Sequence, residues 1–192
     1  MASWCSTALV SSVLLGALIL TGCASQPALP SLGVVPQFTL TDQSGAEFNS
    51  ASTLDKKIWV ANFVFTNCPG PCPRMSSQMH QVQTALAEEK DARFVSFTVD
   101  PARDTPPVLA AYARHFEATP GKWFFLTGAA PDLNRMSRGV FMLGDVDGSL
   151  EHSTRFALID RLARIRGYYQ SPEADAIPNL IADAKRLLKE SL

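Results

Sequence analysis

The chain has neither an excess of basic residues nor many cysteines. Its 192 residues include 17 Lys and Arg against 18 Asp and Glu, a formal net charge of −1. This near-neutral balance lacks the basic footprint of a nucleic-acid-binding protein. Of the four cysteines, Cys5 and Cys23 lie in an N-terminal apolar stretch, so the set does not form a disulfide-stapled scaffold. The remaining close pair, Cys68 and Cys72, indicates redox or metal chemistry.

The N-terminal apolar run lacks the length of a comfortable membrane span. Residues 8–20 are apolar apart from two serines and a glycine, which suits the hydrophobic part of a signal segment. The run ends at Leu20-Thr21-Gly22-Cys23, which resembles a bacterial lipobox, where the cysteine is lipid-modified and becomes the mature N-terminus. No Lys or Arg precedes the run, which departs from the usual signal pattern.

Two interpretations of residues 1–23 therefore stay open. In the first they form a lipoprotein-type signal segment and Cys23 is lipidated; in the second they form an uncleaved anchor and Cys23 is a buried thiol. Both predict a membrane-anchored domain in the bacterial envelope, facing the periplasm or the exterior. Residues 24–35 are rich in Pro, Ser and small side chains, so we predict a flexible tether there and a folded domain over 36–192.

Strand and helix patterns alternate along this domain. Residues 38–41 alternate in polarity before the turn signal Asp42-Gln43-Ser44-Gly45, which predicts an N-terminal hairpin. The patterns predict further strands over 58–65, 93–99, 123–126, 156–159 and 162–168, and helices over 73–88, from 105 onward, over 133–140 and over 177–189. This order predicts an α/β fold with a central mixed sheet flanked by helices.

The cysteine pair follows a predicted buried strand and precedes a predicted helix, whose first turn is marked by Pro73. Free N–H groups and partial positive charge at a helix start lower a thiol pKa and favour the thiolate. If the segment is helical, Cys68 and Cys72 share one face and can form a disulfide or hold one ion. Soft thiolates favour Cu(I), with zinc as a competitor. A purely structural disulfide is the alternative, although so short a loop contributes little stability.

A third ligand is sought among three histidines. His80 and His115 lie on predicted helices, and we expect both to be solvated at the surface. His152 instead precedes a predicted strand, and in a thioredoxin-like sheet this loop faces the cysteine loop. Thioredoxins place a cis-proline there, whereas this chain has no proline between Pro131 and Pro172. These observations predict a site of two cysteines and one histidine.

Four segments together resemble the Sco/SenC family. They are Phe65-Thr66-Asn67-Cys68-Pro69-Gly70-Pro71-Cys72-Pro73, similar to F-T-x-C-P-x-x-C-P; residues 97–106, similar to S-V-D-P-x-R-D-T-P; residues 123–128; and His152-Ser153. The resemblance extends in order from about residue 36 to residue 169. It is specific because no single loop carries all four segments.

The resemblance implies a thioredoxin-like fold and a copper site, for Cu(I), Cu(II) or both, made by Cys68, Cys72 and His152. It implies a metallochaperone, not strictly an enzyme, for the CuA centre of cytochrome c oxidase. The implied partners are the oxidase subunit carrying CuA, a periplasmic thiol reductant and another copper chaperone. Asp100 falls where the family has a carboxylate near the metal, although capping the strand before Pro101 explains it equally well.

Some features depart from the family, and other functions stay open. Gly70-Pro71 stands where the family commonly has Asp-Val, which puts copper affinity and redox potential in doubt but not the ligands. A thiol–disulfide oxidoreductase, with Cys68 as nucleophile and Cys72 as resolving thiol, is the main alternative. A peroxidase is a third hypothesis, which the close pair does not favour. Met75 and Met79 have the helical spacing of core residues rather than of thioether ligands.

Overall fold

The computed structural model describes residues 27–143 and 153–190. In this part of the chain, eight strands and five α-helices alternate. The strands are β1 Gly33–Val34, β2 Thr39–Asp42, β3 Glu47–Asn49, β4 Ile58–Val64, β5 Ala92–Thr98, β6 Trp123–Thr127, β7 Arg155–Ile159 and β8 Arg164–Gln170. The helices are α1 Ser50–Thr53, α2 Cys72–Ala85, α3 Pro106–His115, α4 Ala130–Asn134, continued by a π-helical segment Arg135–Val140, and α5 Ala176–Lys189.

The described strands form one mixed sheet with the order β1-β8-β7-β4-β5-β6-β2-β3. β4, β5 and β6 are parallel, whereas β7 and β8 are antiparallel to their neighbours. The carboxyl ends of β4 and β5 therefore meet, with Val64 opposite Thr98. At the opposite end of the sheet, Trp59 pairs with Ile159, where β7 ends. The predicted α/β fold with a mixed sheet, flanking helices and an N-terminal hairpin is confirmed.

The core lies on both faces of the sheet because β4 is buried along its whole length. Alternate residues of β4 point to opposite faces, as the geometry of a strand requires. Ile58 and Val60 pack on the face that α2, α3 and α5 cover, together with Met75 and Met79. These two methionines are fully buried, which confirms that they belong to the core. The other face is rich in aromatic side chains, namely Phe38, Phe48, Trp59, Phe63, Phe97 and Phe141.

Residues 29–35 are held on the domain, in contrast to the flexible tether predicted over 24–35. The N–H of Leu32 donates to the carbonyl of Ile165 at 2.9 Å, and that of Val35 donates to Ala163 at 2.8 Å. The guanidinium of Arg166 donates to the carbonyls of Leu29 and Pro30. Local composition cannot reveal this docking, because the partners are 136 and 137 residues away along the chain.

The turn between β7 and β8 places Ala163 at a position that favours glycine. Ala163 adopts a left-handed backbone with φ of 58°, which favours glycine at such positions. The carboxylate of Asp160 stabilises the turn by accepting backbone N–H groups of Leu162 and Arg164, both at 2.9 Å. It also accepts side-chain hydrogen bonds from Arg164 and Arg166 at 2.8 Å. The hydrogen bonds of Asp160 therefore stabilise a turn in which Ala163 occupies a position that favours glycine.

Candidate copper and thiol site

Cys68 and Cys72 lie at the carboxyl end of β4. Cys68 is half-buried in the loop before α2, and Cys72 is the fully buried first residue of that helix. The two cysteines are not joined by a disulfide, and their side chains are in hydrogen-bond contact. The pair is therefore not on one helical face, as a fully helical segment would have placed it. Instead, the bend of the loop brings the sulfurs together, and a Cβ on Gly70 would lie 3.9 Å from the Cys68 Sγ.

The electrostatics of Cys72 differ from the prediction for a helix start. Burial raises the pKa of the Cys72 thiol far above its ordinary value, against the lowering effect of a hydrogen bond with the Phe65 backbone. The neighbouring Cys68 and Asp104 raise it further. The expected lowering of the thiol pKa is thus wrong for Cys72, because desolvation outweighs the favourable end of the helix. Cys72 is a neutral thiol at pH 7 and needs a strong partner to become a thiolate.

Asp104 is a buried carboxylate beneath the cysteine loop, and the sequence analysis did not single it out. Its side chain is buried, and its Oδ1 accepts a hydrogen bond from the Thr66 hydroxyl at 2.6 Å. Its Oδ2 accepts from the Thr66 N–H at 3.2 Å and from the Thr98 hydroxyl at 2.5 Å. Asp104 thereby joins the ends of β4 and β5. The sequence signal that could have identified Asp104 is that it lies in the same segment as Asp100, residues 97–106.

Asp100 closes the turn that follows β5. Its carboxylate pairs with Arg103 at 3.1 Å, and its N–H donates to the Thr98 hydroxyl at 2.9 Å. Its carbonyl accepts hydrogen bonds from the N–H groups of Arg103 and Asp104. These contacts match the capping interpretation of Asp100. A role of Asp100 near a metal stays a prediction.

Tyr112 of α3 lies beneath the start of α2. Its hydroxyl is 3.0 Å from the hydroxyl of Ser76, one helical turn after Cys72. Burial raises the pKa of Tyr112 to about 12, against the lowering effect of the Ser76 hydrogen bond, and Cys72, Cys68 and Asp104 raise it further. Tyr112 is therefore a neutral hydrogen-bonding group beneath the cysteine pair.

His152 lies outside the described residues, but the residues that flank its loop are described. The N–H of Ser153 donates to the carbonyl of Leu143 at 2.9 Å. Arg155 donates to the carbonyl of Met142 and to the Ser153 hydroxyl, both at 3.1 Å. Its guanidinium also lies 5.2 Å from the centre of the Tyr168 ring. The two ends of the segment 144–152 are thus held together at the start of β7, the strand that pairs with β4.

The other two histidines lie on the helices. His80 on α2 is half-buried, with Nε2 3.5 Å from the Thr84 hydroxyl, and His115 is exposed against the Phe116 ring. The prediction of a solvated surface position is confirmed for His115, whereas His80 is more enclosed. Among residues 27–143 and 153–190, no three His, Cys, Asp or Glu side chains are grouped so that they could hold a metal ion.

The sequence of residues 27–189 matches the family model described as SCO1/SenC. This chain belongs to the SCO1/SenC family. The match covers the cysteine loop, both aspartates and the segment that includes His152. The predicted family is therefore confirmed.

Three solved structures resemble this SCO1/SenC chain. A SCO1/SenC family lipoprotein from Bacillus anthracis is 33% identical with a TM-score of 0.76, covering 85% of this chain and 100% of that one. BsSco, described as having a disulfide switch and belonging to a family of cytochrome c oxidase assembly proteins, is 28% identical with a TM-score of 0.73, covering 86% and 100%. Yeast Sco1 with copper bound is 24% identical with a TM-score of 0.67, covering 85% and 91%, and shows the fold alone.

The family's thioredoxin-like fold is thus the fold of this chain. Residues 1–23, including the lipobox-like Cys23, lie outside the described part. Within the part that is described, no helix is both long and apolar enough to cross a membrane.

Proposed function

We propose that this protein binds copper and serves the assembly of the CuA centre of cytochrome c oxidase. The observation that carries the proposal is the contact between the reduced thiols of Cys68 and Cys72 at the carboxyl end of β4. The proposed ligands are these two sulfurs and the imidazole of His152. β7, which begins just after His152, pairs with β4, and this supports a histidine near the cysteine loop.

The chemistry of the donor set suits copper. Thiolate sulfur is a soft ligand that favours Cu(I), and imidazole nitrogen binds both oxidation states of copper. Because Cys72 is a neutral thiol when the metal is absent, uptake of copper must release its proton. The buried carboxylate of Asp104 adds negative charge close to the sulfurs, which favours a cation there.

The proposed partners follow from the role in assembly. The recipient is the oxidase subunit that carries CuA, and a second copper chaperone supplies the ion. A periplasmic thiol reductant returns the cysteines to the thiol state. This assignment is supported by the similarity to BsSco, whose family is described as cytochrome c oxidase assembly proteins.

The proposed location is the outer surface of a bacterial membrane, with the chain anchored through lipidated Cys23. The lipobox-like sequence before the domain supports this location, and the similar Bacillus anthracis chain is described as a lipoprotein. Radiolabelled fatty acid fed to the producing cells should label the wild type and leave Cys23→Ser unlabelled.

Reduction of a protein disulfide is the second candidate function. Cys68 is partly accessible whereas Cys72 is buried, as expected of an attacking and a resolving thiol. Attack by the Cys68 thiolate on the substrate disulfide would form a mixed disulfide and release one substrate thiol. Attack by Cys72 would then form the Cys68–Cys72 disulfide and release the second thiol. Two electrons and two protons would pass to the substrate.

A copper titration of the reduced full-length chain in detergent separates the two functions. We expect uptake of one copper per chain, with much weaker binding after Cys68→Ser, Cys72→Ser or His152→Ala. His115→Ala is the matched control, because His115 is exposed on α3 and should leave the affinity unchanged. Wild-type affinity in His152→Ala would remove the histidine from the site. Turnover of a CuA-domain disulfide without any copper uptake would favour the reductase.

A further inference from the structure

The end of the domain opposite the cysteines collects several chain segments, and we call this end the basal pole. It comprises the turn 160–163, the last turn of α5 and the first described residues, 27–35. Arg161 in this turn donates hydrogen bonds to the carbonyls of Leu187 and Leu188 at the end of α5. Since β4 has 7 residues, its length of about 23 Å separates this pole from the cysteine loop.

The chain enters the domain at the basal pole. Arg186 in the last turn of α5 donates a hydrogen bond to the carbonyl of Pro27, the first described residue. Arg166 donates to the carbonyls of Leu29 and Pro30 just beyond it. Cys23 precedes Pro27 by four residues. Such a segment spans at most about 14 Å, so an anchor at Cys23 keeps this pole close to the bilayer.

Exposed apolar side chains are concentrated at the same pole. Of the five large apolar residues exposed in the described part of the chain, three lie here: Leu32 (46% exposed), Val34 (65%) and Leu162 (58%). Leu32 and Val34 flank Gly33 at the edge of the sheet, where Leu32 is held by a hydrogen bond from its N–H to the Ile165 carbonyl and Val34 pairs with Arg164. The hydrogen bond from the Val35 N–H to the Ala163 carbonyl joins this edge to the turn that contains Leu162.

Charged side chains of both signs surround this apolar cluster. A shallow cleft beside it is lined by Leu162, Lys56 and Arg161, together with Asp55. The exposed Lys56 can place its apolar stem on the apolar surface and its charge on a lipid phosphate, whereas the Arg161 guanidinium is already bonded to carbonyls at the end of α5. The remaining exposed apolar residues, Val108 and Met142, lie on other elements. A clustered apolar surface beside the anchored end of a chain fits a lipid interface better than free solvent.

We propose that the basal pole rests on the phospholipid surface, with Leu32, Val34 and Leu162 in the headgroup region. The proposal rests on the anchorage through residues 1–23 proposed above and is independent of copper binding. Three partly inserted side chains would bind a bilayer weakly on their own. The anchor changes this, because it makes contact with the surface intramolecular. The cysteine loop then points away from the bilayer, toward a soluble or protruding domain of its partner.

Tryptophan fluorescence in brominated vesicles tests this orientation. The full chain is reconstituted into vesicles of phosphatidylcholine and phosphatidylglycerol, with or without bromine on the acyl chains. The test variant is Leu162→Trp, and the matched control is Val108→Trp, an exposed position in the first turn of α3 at the cysteine end. The wild type gives the background from native tryptophans. We expect brominated lipid to remove roughly half of the emission added at position 162 and none of that at 108, because interfacial side chains reach the acyl boundary.

Three outcomes would overturn the proposal. Equal quenching at positions 162 and 108 would mean that the anchored domain has no preferred orientation. If the fluorescence of the tryptophan at position 162 changed with the amount of protein per vesicle and not with bromination of the lipid, two copies of the chain would be in contact through this edge. Recovery of the chain in the soluble fraction would remove the anchor itself. A copper titration on the same samples reports the proposed function separately, so its failure is distinguishable from a failure of this orientation.

Discussion

The carboxylate of Asp104 and the hydroxyl of Thr66 are joined by a 2.6 Å hydrogen bond directly beneath the cysteine loop. Thr66 lies two residues before Cys68, so this bond couples the position of the loop to the end of β5. Asp104 is also close enough to the thiols to raise the pKa of Cys72. The pair thus controls both the shape of the loop and the charge around it.

Replacing Asp104 by Asn should weaken both the fold and copper binding. The change preserves the size of the side chain but removes the charge that strengthens its buried hydrogen bonds. We expect a loss of about 2 kcal/mol in the free energy of unfolding, the usual range for a hydrogen bond to a charged group. Copper affinity should fall roughly tenfold, because a negative charge near the sulfurs is lost. Urea unfolding and copper titration measure the two effects.

Asp100→Asn is the matched control for Asp104→Asn. Its ion pair is with Arg103, whose side chain is 65% exposed, so the change should cost less than about 1 kcal/mol. Copper affinity should stay close to that of the wild type if Asp100 only closes the turn. A larger loss of affinity in Asp100→Asn than in Asp104→Asn would reverse the roles assigned to the two carboxylates.

Gly70→Asp should restore the charge that the family commonly has in the cysteine loop. A Cβ at this position meets only the Cys68 Sγ within 4 Å, at an ordinary contact distance of 3.9 Å, so the fold should tolerate it. The added carboxylate should strengthen copper binding by roughly tenfold through its charge. Gly70→Asn is the control for side-chain size. Equal affinities in the Asp and Asn variants would show that charge at this position does not affect the metal.

Arg155→Gln should loosen the base of the segment that contains His152. Arg155 holds the Met142 carbonyl and the Ser153 hydroxyl, which flank that segment on opposite sides. We expect weaker copper binding with a loss of only about 1 kcal/mol in the free energy of unfolding, because each contact is partly solvated. The control is Arg135→Gln, because the Arg135 side chain is 64% exposed and pairs with the similarly exposed Asp132. Unchanged copper affinity in Arg155→Gln would show that these hydrogen bonds of Arg155 do not affect the metal site.

Acid should destabilise the turn between β7 and β8 through Asp160. Burial alone would raise its pKa, but hydrogen bonds from the Arg164 backbone, the side chains of Arg166 and Arg164, and the Leu162 backbone hold the pKa of the carboxyl below its ordinary value. The folded state therefore releases this proton more readily than the unfolded state. Its contribution to stability is present above the unfolded pKa and is lost as the pH falls through the folded pKa.

Asp160→Asn checks this dependence. At neutral pH the variant should lose about 3 kcal/mol in the free energy of unfolding, because the buried Arg166 loses its carboxylate partner at 2.8 Å and keeps the more distant Glu190 carboxylate, at 4.0 Å. As the pH is lowered from neutral, the free energy of unfolding of the variant should fall less steeply than that of the wild type. Urea unfolding at each pH measures this difference. Parallel pH curves for the two proteins would exclude Asp160 as the source of the acid sensitivity.

Local sequence patterns predicted the central architecture well. The run that became β4 is buried on both faces, so every position except Asn62 carries an apolar residue. The helical spacing of Met75 and Met79 marked the covered face of α2, and both are fully buried. Such patterns are readable because regular elements repeat their exposure along the chain.

The sequence by itself determined the family, the order of strands and helices, and a close pair of cysteines between β4 and α2. The tertiary structure was needed to show that Cys72 is buried and holds its proton, that Asp104 bonds to Thr66 beneath the loop, and that residues 29–35 dock on β8 and Arg166. The physical reason is that desolvation and hydrogen bonding depend on neighbours in space. Those neighbours come from parts of the chain that no local pattern connects.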